Sequence, residues 1–249
     1  MTNEIQIREC TTFDELSACV ELQREVFALP EIEISPVRHL IVTVNAGGFV
    51  LGAYSGDELI GFVLSVPAFL RGKSAFYSHM TAVKGAFQSA GIGGRLKWAQ
   101  RGKALDLGVK FVKWTFEPWK ARNAYFNLEK LGAILSEYQP NFYGIDYATY
   151  STSGVPIGLA SDRLFAEWHL ESEKVTALSK GEIYSERTAP EAEIAVTSDW
   201  TALVAADSNA AIAEQKRLKA EFESAFERGL VGRGFRRDDV SPKYLLFKK

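Results

Sequence analysis

The sequence predicts a mixed α/β fold, and three observations lead there. Short apolar-rich runs and amphipathic helical stretches follow one another in the order β-α-α-β-β-β-α-β-α-β-β over roughly the first two thirds of the chain. A glycine cluster, "QSAGIGGRLKWAQRG", joins a strand to a helix near the middle. Apolar residues make up 47% of the 249 and charged residues 24%, an ordinary balance for a chain that buries a core.

The first run, "EIQIREC", alternates apolar and polar residues as a half-buried strand does. Thr12 and Glu15 then form a capping-box pattern, and Phe13, Leu16, Val20 and Phe27 follow at helical spacing as the expected inner face. "SPVRHLIVTVNAG" predicts a second helix that opens with Pro36 and stops near Gly47 and Gly48. "GFVLGAY", the turn "SGD" and "ELIGFVLSV" read as a hairpin, and "SAFYSHMTAV" as a further strand leading into the glycine turn. Beyond it, Ile92, Leu96 and Ala99 share one face of a helix ending near Gly108. "VKFVKWTF" is mostly apolar, as expected of a strand covered on both sides. "WKARNAYFNLEKLG" predicts a helix with Ala121, Ala124, Leu128 and Leu131 inward and Gly132 as its stop. "ILSEYQPNFYG" and "DRLFAEWHL" are the last strands expected of this unit.

From about residue 173 the character changes. "SKGEIYSERTAPEAE" is polar and reads as a linker or surface loop. A strand-like "EIAVTSDW" follows, then a helix with Ile212, Leu218, Phe222 and Phe226 on one side, then two short strands in "RGLVGRGFRRDD" and "YLLF". Such a β-α-β segment has too small a core to stand alone comfortably. The expected organisation is therefore a main unit over 1–172 and an extension over 173–249 that packs on it.

Composition narrows the partners. The formal charge is −2, so no global field recruits nucleic acid or an anionic membrane. Cys10 and Cys19 lack CxxC spacing and read as unpaired buried thiols of a reducing compartment. The stretch "MTNEIQIRECTTFDELS" carries an acid where a signal peptide would be basic, and no run approaches the ~18 apolar residues of a membrane span. The expectation is a cytoplasmic protein without metal, membrane or nucleic acid. "EQKRLKAEFESAFERG" is an amphipathic helix, expected to dock on the core or on a second subunit of a homodimer.

A strand, a glycine turn and a helix together form a general device for holding phosphate. The first helical turn presents unpaired N–H groups, and the macrodipole adds partial positive charge. Gly91, Gly93 and Gly94 would admit an anion to the backbone, with Arg95, Lys97 and Arg101 as nearby charge. A P-loop is excluded because no Lys-Ser/Thr pair follows, and "GIGGRL" is not the GxGxxG of a dinucleotide fold. The pattern that fits is Q/R-x-x-G-x-G/A, met as Gln88, Gly91 and Gly93.

On these residues the chain resembles the GCN5-related N-acetyltransferase (GNAT) family. "SHMTAVKGAF" stands where that family has its fourth strand, and "TFEPWKARNAYFNLEKLGA" resembles its second signature, ending in Lys-Leu-Gly. The resemblance covers roughly residues 4–172 and implies a central, mostly antiparallel twisted sheet flanked by helices. It further implies acetyl-CoA or a related acyl-CoA as co-substrate and an amine as acceptor; the near-neutral charge and the absence of a peptide-groove signature favour a small-molecule amine. The turn from Gln88 through Ser89, Ala90, Gly91, Ile92, Gly93 and Gly94 to Arg95 would take the pyrophosphate. Thr81, Ala82 and Val83 would pair with the pantetheine arm, and Asn123 and Asn127 would bond that arm or the thioester.

The amine must lose a proton before it attacks. His79, four residues before Val83, is the candidate base, or else a structural histidine beside the sheet. Glu117 is a second candidate, or else a surface carboxylate. Many members of the family carry a tyrosine as general acid four residues before the glycine of "KLG"; here that position is Leu128. Tyr125, one turn earlier, is the candidate substitute, or else a packing residue. Arg163 would grip a substrate carboxylate, or else cap a sheet edge. The absence of the tyrosine leaves a second possibility open, a non-catalytic acyl-CoA-binding regulatory module on the same frame.

Overall fold

The computed structural model describes residues 4–144 and 158–249. The chain divides into two compact units, Met1–Lys113 and Trp114–Lys249. In the first, strands β1 (Ile5–Glu9), β2 (Phe49–Ser55), β3 (Glu58–Leu70) and β4 (Lys73–Val83) run antiparallel in that order. The start of β5 (Phe111–Phe116) joins β4 in parallel through Phe76–Val112 and Tyr77–Lys113.

Helices α1 (Phe13–Phe27) and α2 (Val37–Asn45) cover one face of this sheet, where Leu16, Val20 and Leu40 pack with Phe62, Leu64 and Ala82. Helix α3 (Ile92–Asp106) lies on the opposite face, since Leu96 approaches to 3.3 Å of the point where Gly61 would carry a Cβ. The capping box at α1 forms as expected, Thr12 Oγ1 accepting from Glu15 N at 3.3 Å and Glu15 Oε2 from Thr12 N at 3.0 Å. Phe13 does not join the inner face. It occupies the first helical position, ahead of the turns that pack, and is 62% exposed.

Two further expectations need correction. β5 is not covered on both sides: Val112, Trp114 and Phe116 are buried while Phe111, Lys113 and Thr115 are only half-buried. The inner face of α3 is not purely apolar either. Ile92, Leu96 and Ala104 are buried on it, but so are Lys97 and Gln100, whereas Ala99 is half-buried.

In the second unit, β6 (Ile134–Gln139), β7 (Arg163–His169), β8 (Ala192–Ala195), β9 (Leu230–Arg236) and β10 (Lys243–Lys248) take the order β7-β6-β9-β10-β8. Helix α4 (Ala121–Tyr125) runs into a π-helical turn, Phe126–Lys130, which Gly132 ends at φ +73. The C-terminal segment holds three helices rather than one: α5 (Glu173–Ser179), α6 (Trp200–Ala206) and α7 (Ser208–Glu227). Ser172, Asp199 and Asp207 cap them, each accepting from a backbone N–H of the first turn.

This segment packs on the elements that precede it within the unit. Gly232 of β9 pairs with Leu135 of β6, and a Cβ there would come within 3.2 Å of the Leu135 side chain. Trp200 stacks on Trp119 with centroids 4.6 Å apart, and Phe222 stacks on Tyr138 of β6 at 5.8 Å. Tyr244 Oη donates to the Pro118 carbonyl at 2.7 Å, and Glu129 Oε1 accepts from Phe235 N at 2.7 Å. Phe222 is fully buried between Tyr138 and Tyr244. Replacing it with alanine is expected to lower stability by about 3–5 kcal/mol in urea unfolding; a loss under about 1 kcal/mol would mean the aromatic contact does not hold the segment down.

Candidate active site

The glycine turn is open. After β4 a 3₁₀ turn, Gly85–Phe87, leads to Gln88 in extended geometry, and both Ser89 (φ +68) and Gly91 (φ +79) are left-handed. Such a conformation costs a non-glycine residue about 1 kcal/mol, so Ser89 is held there by its surroundings. Gly91 is the N-cap of α3 and no side chain caps that helix. The N–H groups of Ile92, Gly93 and Gly94 have no intrahelical carbonyl to bond. A Cβ on Gly91 or Gly93 would meet no atom within 4 Å, and residues 88–91 are exposed. An anion could therefore sit against the backbone. Gln88 Nε2 donates to the Val83 carbonyl at 3.2 Å and ties the turn to the end of β4.

The expected cations are placed differently. Arg95 donates to the Ile5 carbonyl at 2.6 Å, and the Arg101 guanidinium lies 6.0 Å from the Trp98 ring centre. Lys97 is 3% exposed and points at the sheet, so it supplies no charge at the turn.

β4 carries a bulge at His79. Leu64 pairs with Met80 and Ser65 with Ser78, leaving His79 as the extra residue on its strand. His79 is half-buried, its Nε2 3.3 Å from Ser35 Oγ and its ring edge-on to His39 at 5.9 Å. Burial first, and then the nearby His39, pull its pKa below the ordinary 6.5. The imidazole is thus neutral and able to accept a proton at pH 7. Among the described residues β4 pairs with β5 only at Phe76 and Tyr77, so Thr81, Ala82 and Val83 have a strand partner on the β3 side alone.

In the second unit Glu117 closes β5 with a side chain 19% exposed. Burial pushes its carboxyl up, but Lys120, 2.7 Å away, and Arg163 outweigh that and hold it below its usual range. Arg163 is half-buried, donates to the Asp162 carbonyl at 2.9 Å and lies 5.2 Å from the Tyr143 ring centre. Tyr143 Oη is in turn 3.3 Å from Thr115 Oγ1. Glu117, Lys120, Arg163 and Tyr143 thus form one cluster at the end of β5.

No family model and no curated protein sequence matches the chain. Solved structures do. A GNAT-family protein from Desulfovibrio desulfuricans superposes at a TM-score of 0.54 and 14% identity, over 67% of this chain and 99% of its own. The ribosomal-protein-S18-alanine N-acetyltransferase of Escherichia coli gives 0.52 at 14% identity, over 74% and 99%. The yncA protein of Salmonella typhimurium, solved with its cofactor acetyl-CoA, gives 0.52 at 17% identity, over 69% and 96%. The chain has the GNAT fold.

Against the GNAT pattern the second signature is altered in its interior. Leu128, at the position of the usual tyrosine, is fully buried. Asn127 is also buried and its Oδ1 accepts from the Trp114 indole at 3.3 Å. Asn123 is half-buried on α4. Tyr125 lies between two cations, with Lys130 Nζ 5.5 Å and Arg237 Cζ 4.7 Å from its ring centre. His39 and Ser35, which composition and spacing do not single out, are the neighbours that sequence reasoning missed; only folding α2 over β4 brings them to His79. Among the described residues no group of three or more His, Cys, Asp or Glu could hold a metal, and no helix is long and apolar enough to cross a membrane.

His79 should titrate below 6.5 when followed by NMR of its ring Cε1–H. Replacing His39 with glutamine removes a repelling neighbour and is expected to move that titration upward. No movement would show that the two rings do not sense each other.

Proposed function

We propose that the chain is an N-acyltransferase that moves an acetyl or other short acyl group from acyl-coenzyme A to the amine of a small molecule, an amino acid being the leading candidate. The observation that carries it is the uncapped, open glycine turn at the head of α3, following a strand whose bulge presents a neutral imidazole. The domain reading keeps 1–172 as the acyl-CoA-binding part and 173–249 as its extension.

In this reading the N–H groups of Ile92, Gly93 and Gly94 take the diphosphate, while Ser89, Ala90 and Gly91 shape the turn and Gln88 braces it. Arg95 stands at the rim. Thr81, Ala82 and Val83 offer backbone groups to the amide-bearing arm. The bound thioester supplies an activated acyl carbon and a thiolate leaving group. His79 takes a proton from the acceptor's ammonium at Nε2, directly or through Ser35 Oγ, so that the neutral amine attacks the thioester carbon; Glu117, kept ionised by Lys120 and Arg163, is the second candidate base, directly or through a water. Arg163 suits a carboxylate of the acceptor, or of a dicarboxylic donor such as succinyl-CoA. With Leu128 in the core, Tyr125 remains the candidate acid, and a thiolate that leaves unaided is compatible with the same scheme.

The buried Leu128 also favours a second reading, an acyl-CoA-binding regulatory module without turnover. Calorimetry with coenzyme A, followed by thiol release across a panel of amines, separates the two. Gly93→Val should abolish coenzyme A binding while leaving the fold intact, because its Cβ meets open space in the protein and the diphosphate outside it; retained affinity would remove the phosphate assignment. His79→Ala should lower kcat about 10²- to 10⁴-fold without changing coenzyme A affinity, and an unchanged pH–rate profile would clear His79 of the base role.

A further inference from the structure

Helix α3 presents a lysine and a glutamine to the interior of the sheet. Lys97 Nζ donates to Ser78 Oγ at 3.1 Å and to Gln100 Oε1 at 2.6 Å. Gln100 Nε2 donates to Ser65 Oγ at 2.7 Å and to Ser78 Oγ at 3.1 Å. All four residues are at most 5% exposed. Apolar side chains of similar volume would fill this space without the desolvation penalty that an amine and an amide incur there. Burial pushes the Lys97 amine well below its ordinary pKa, which reports the same penalty. Stability alone does not account for the choice.

The network sits at the bulge. Ser65 and Ser78 are the ladder pair immediately before it, and Leu64 and Met80 the pair immediately after. In an unbroken strand residues 78 and 80 would face the same way. Here Ser78 faces α3, while Met80 packs into the cluster beneath α1 and α2. The extra residue between them absorbs the change, and His79 is that residue. A bulge displaced by one position would exchange faces for the residues it passes, sending the imidazole away from Ser35 and His39.

We propose that Lys97 is a positioning residue for the base: with Gln100, Ser65 and Ser78 it pins the bulge in β4 so that His79 faces Ser35 and His39. The proposal deepens the acyl-transfer reading and rests on it for its catalytic consequence, but its geometric content stands apart from turnover. The groups that face His79 are Ser35 and His39, from the segment leading into α2 and from α2 itself. Lys97 acts from the opposite face, through Ser78.

Lys97→Met in the full chain is the direct test. The variant should unfold at no lower urea concentration than the parent and bind coenzyme A as tightly. Its kcat should fall about 10- to 100-fold, as for a misplaced catalytic group, and the His79 ring should titrate closer to 6.5 as it leaves its half-buried position. An unchanged His79 titration together with an unchanged kcat overturns the proposal. Should Lys97→Met fail to fold, Ser78→Ala and Ser78→Thr replace it: only the threonine, which keeps the hydroxyl, should retain the parent's His79 titration, and equal behaviour of the two overturns the proposal. A chain that turns over no amine would sink acyl transfer, while the NMR titration would still decide the bulge.

Discussion

Side chains alternate along a strand, so a residue that must face one layer fixes the direction of every second neighbour. β4 has to serve two layers at once. Ser78 is bonded to α3 on one face, and Met80 packs under α1 and α2 on the other. One extra residue resolves the conflict, and that residue carries the imidazole beside Ser35 and His39. The candidate base is thereby placed where the backbone departs from its regular pattern, as the extra residue on its strand, with its side chain aimed by the break.

The same helix that anchors the bulge also heads the glycine turn. Its first turn leaves N–H groups pointing outward at Ile92, Gly93 and Gly94, and its second turn begins the polar contacts of Lys97 and Gln100 with the sheet. Any displacement of α3 along its axis would be felt at both places. A rigid helix between an open glycine turn and a strand irregularity is a compact way to keep two groups in fixed relation within the first unit.

Much of this was legible in the sequence because it rests on local rules. The capping box at Thr12, the glycine stop at Gly132 and the hairpin around "SGD" are short-range patterns with short-range causes, and each formed where it was expected. The glycine turn was legible for the same reason: Gly91 takes a left-handed conformation that glycine adopts without strain. What escaped was set by tertiary partners. Lys97 read as charge for the glycine turn, since nothing nearby in the sequence announces that Ser65 and Ser78 wait across the interior. "FYSHMTAV" reads as a regular strand because a bulge inserts a residue without changing composition. The bond that Asn127 Oδ1 accepts from the Trp114 indole has no local signature, and Phe13 looked like core although no layer reaches the first position of α1.

The C-terminal segment alters what the second unit exposes. By pairing β9 with β6 and adding β10 and β8, it places β8, a strand of four residues, rather than β6 at one end of this unit's strand order among the described residues. Glu193 on that strand is bonded by both Arg236 and Lys243, so the margin carries fixed charges rather than a bare hydrogen-bonding row. Short, charged margins resist recruitment of a foreign strand. Without the segment, β6 would lose the partner that β9 gives it and present unpaired backbone groups along that side.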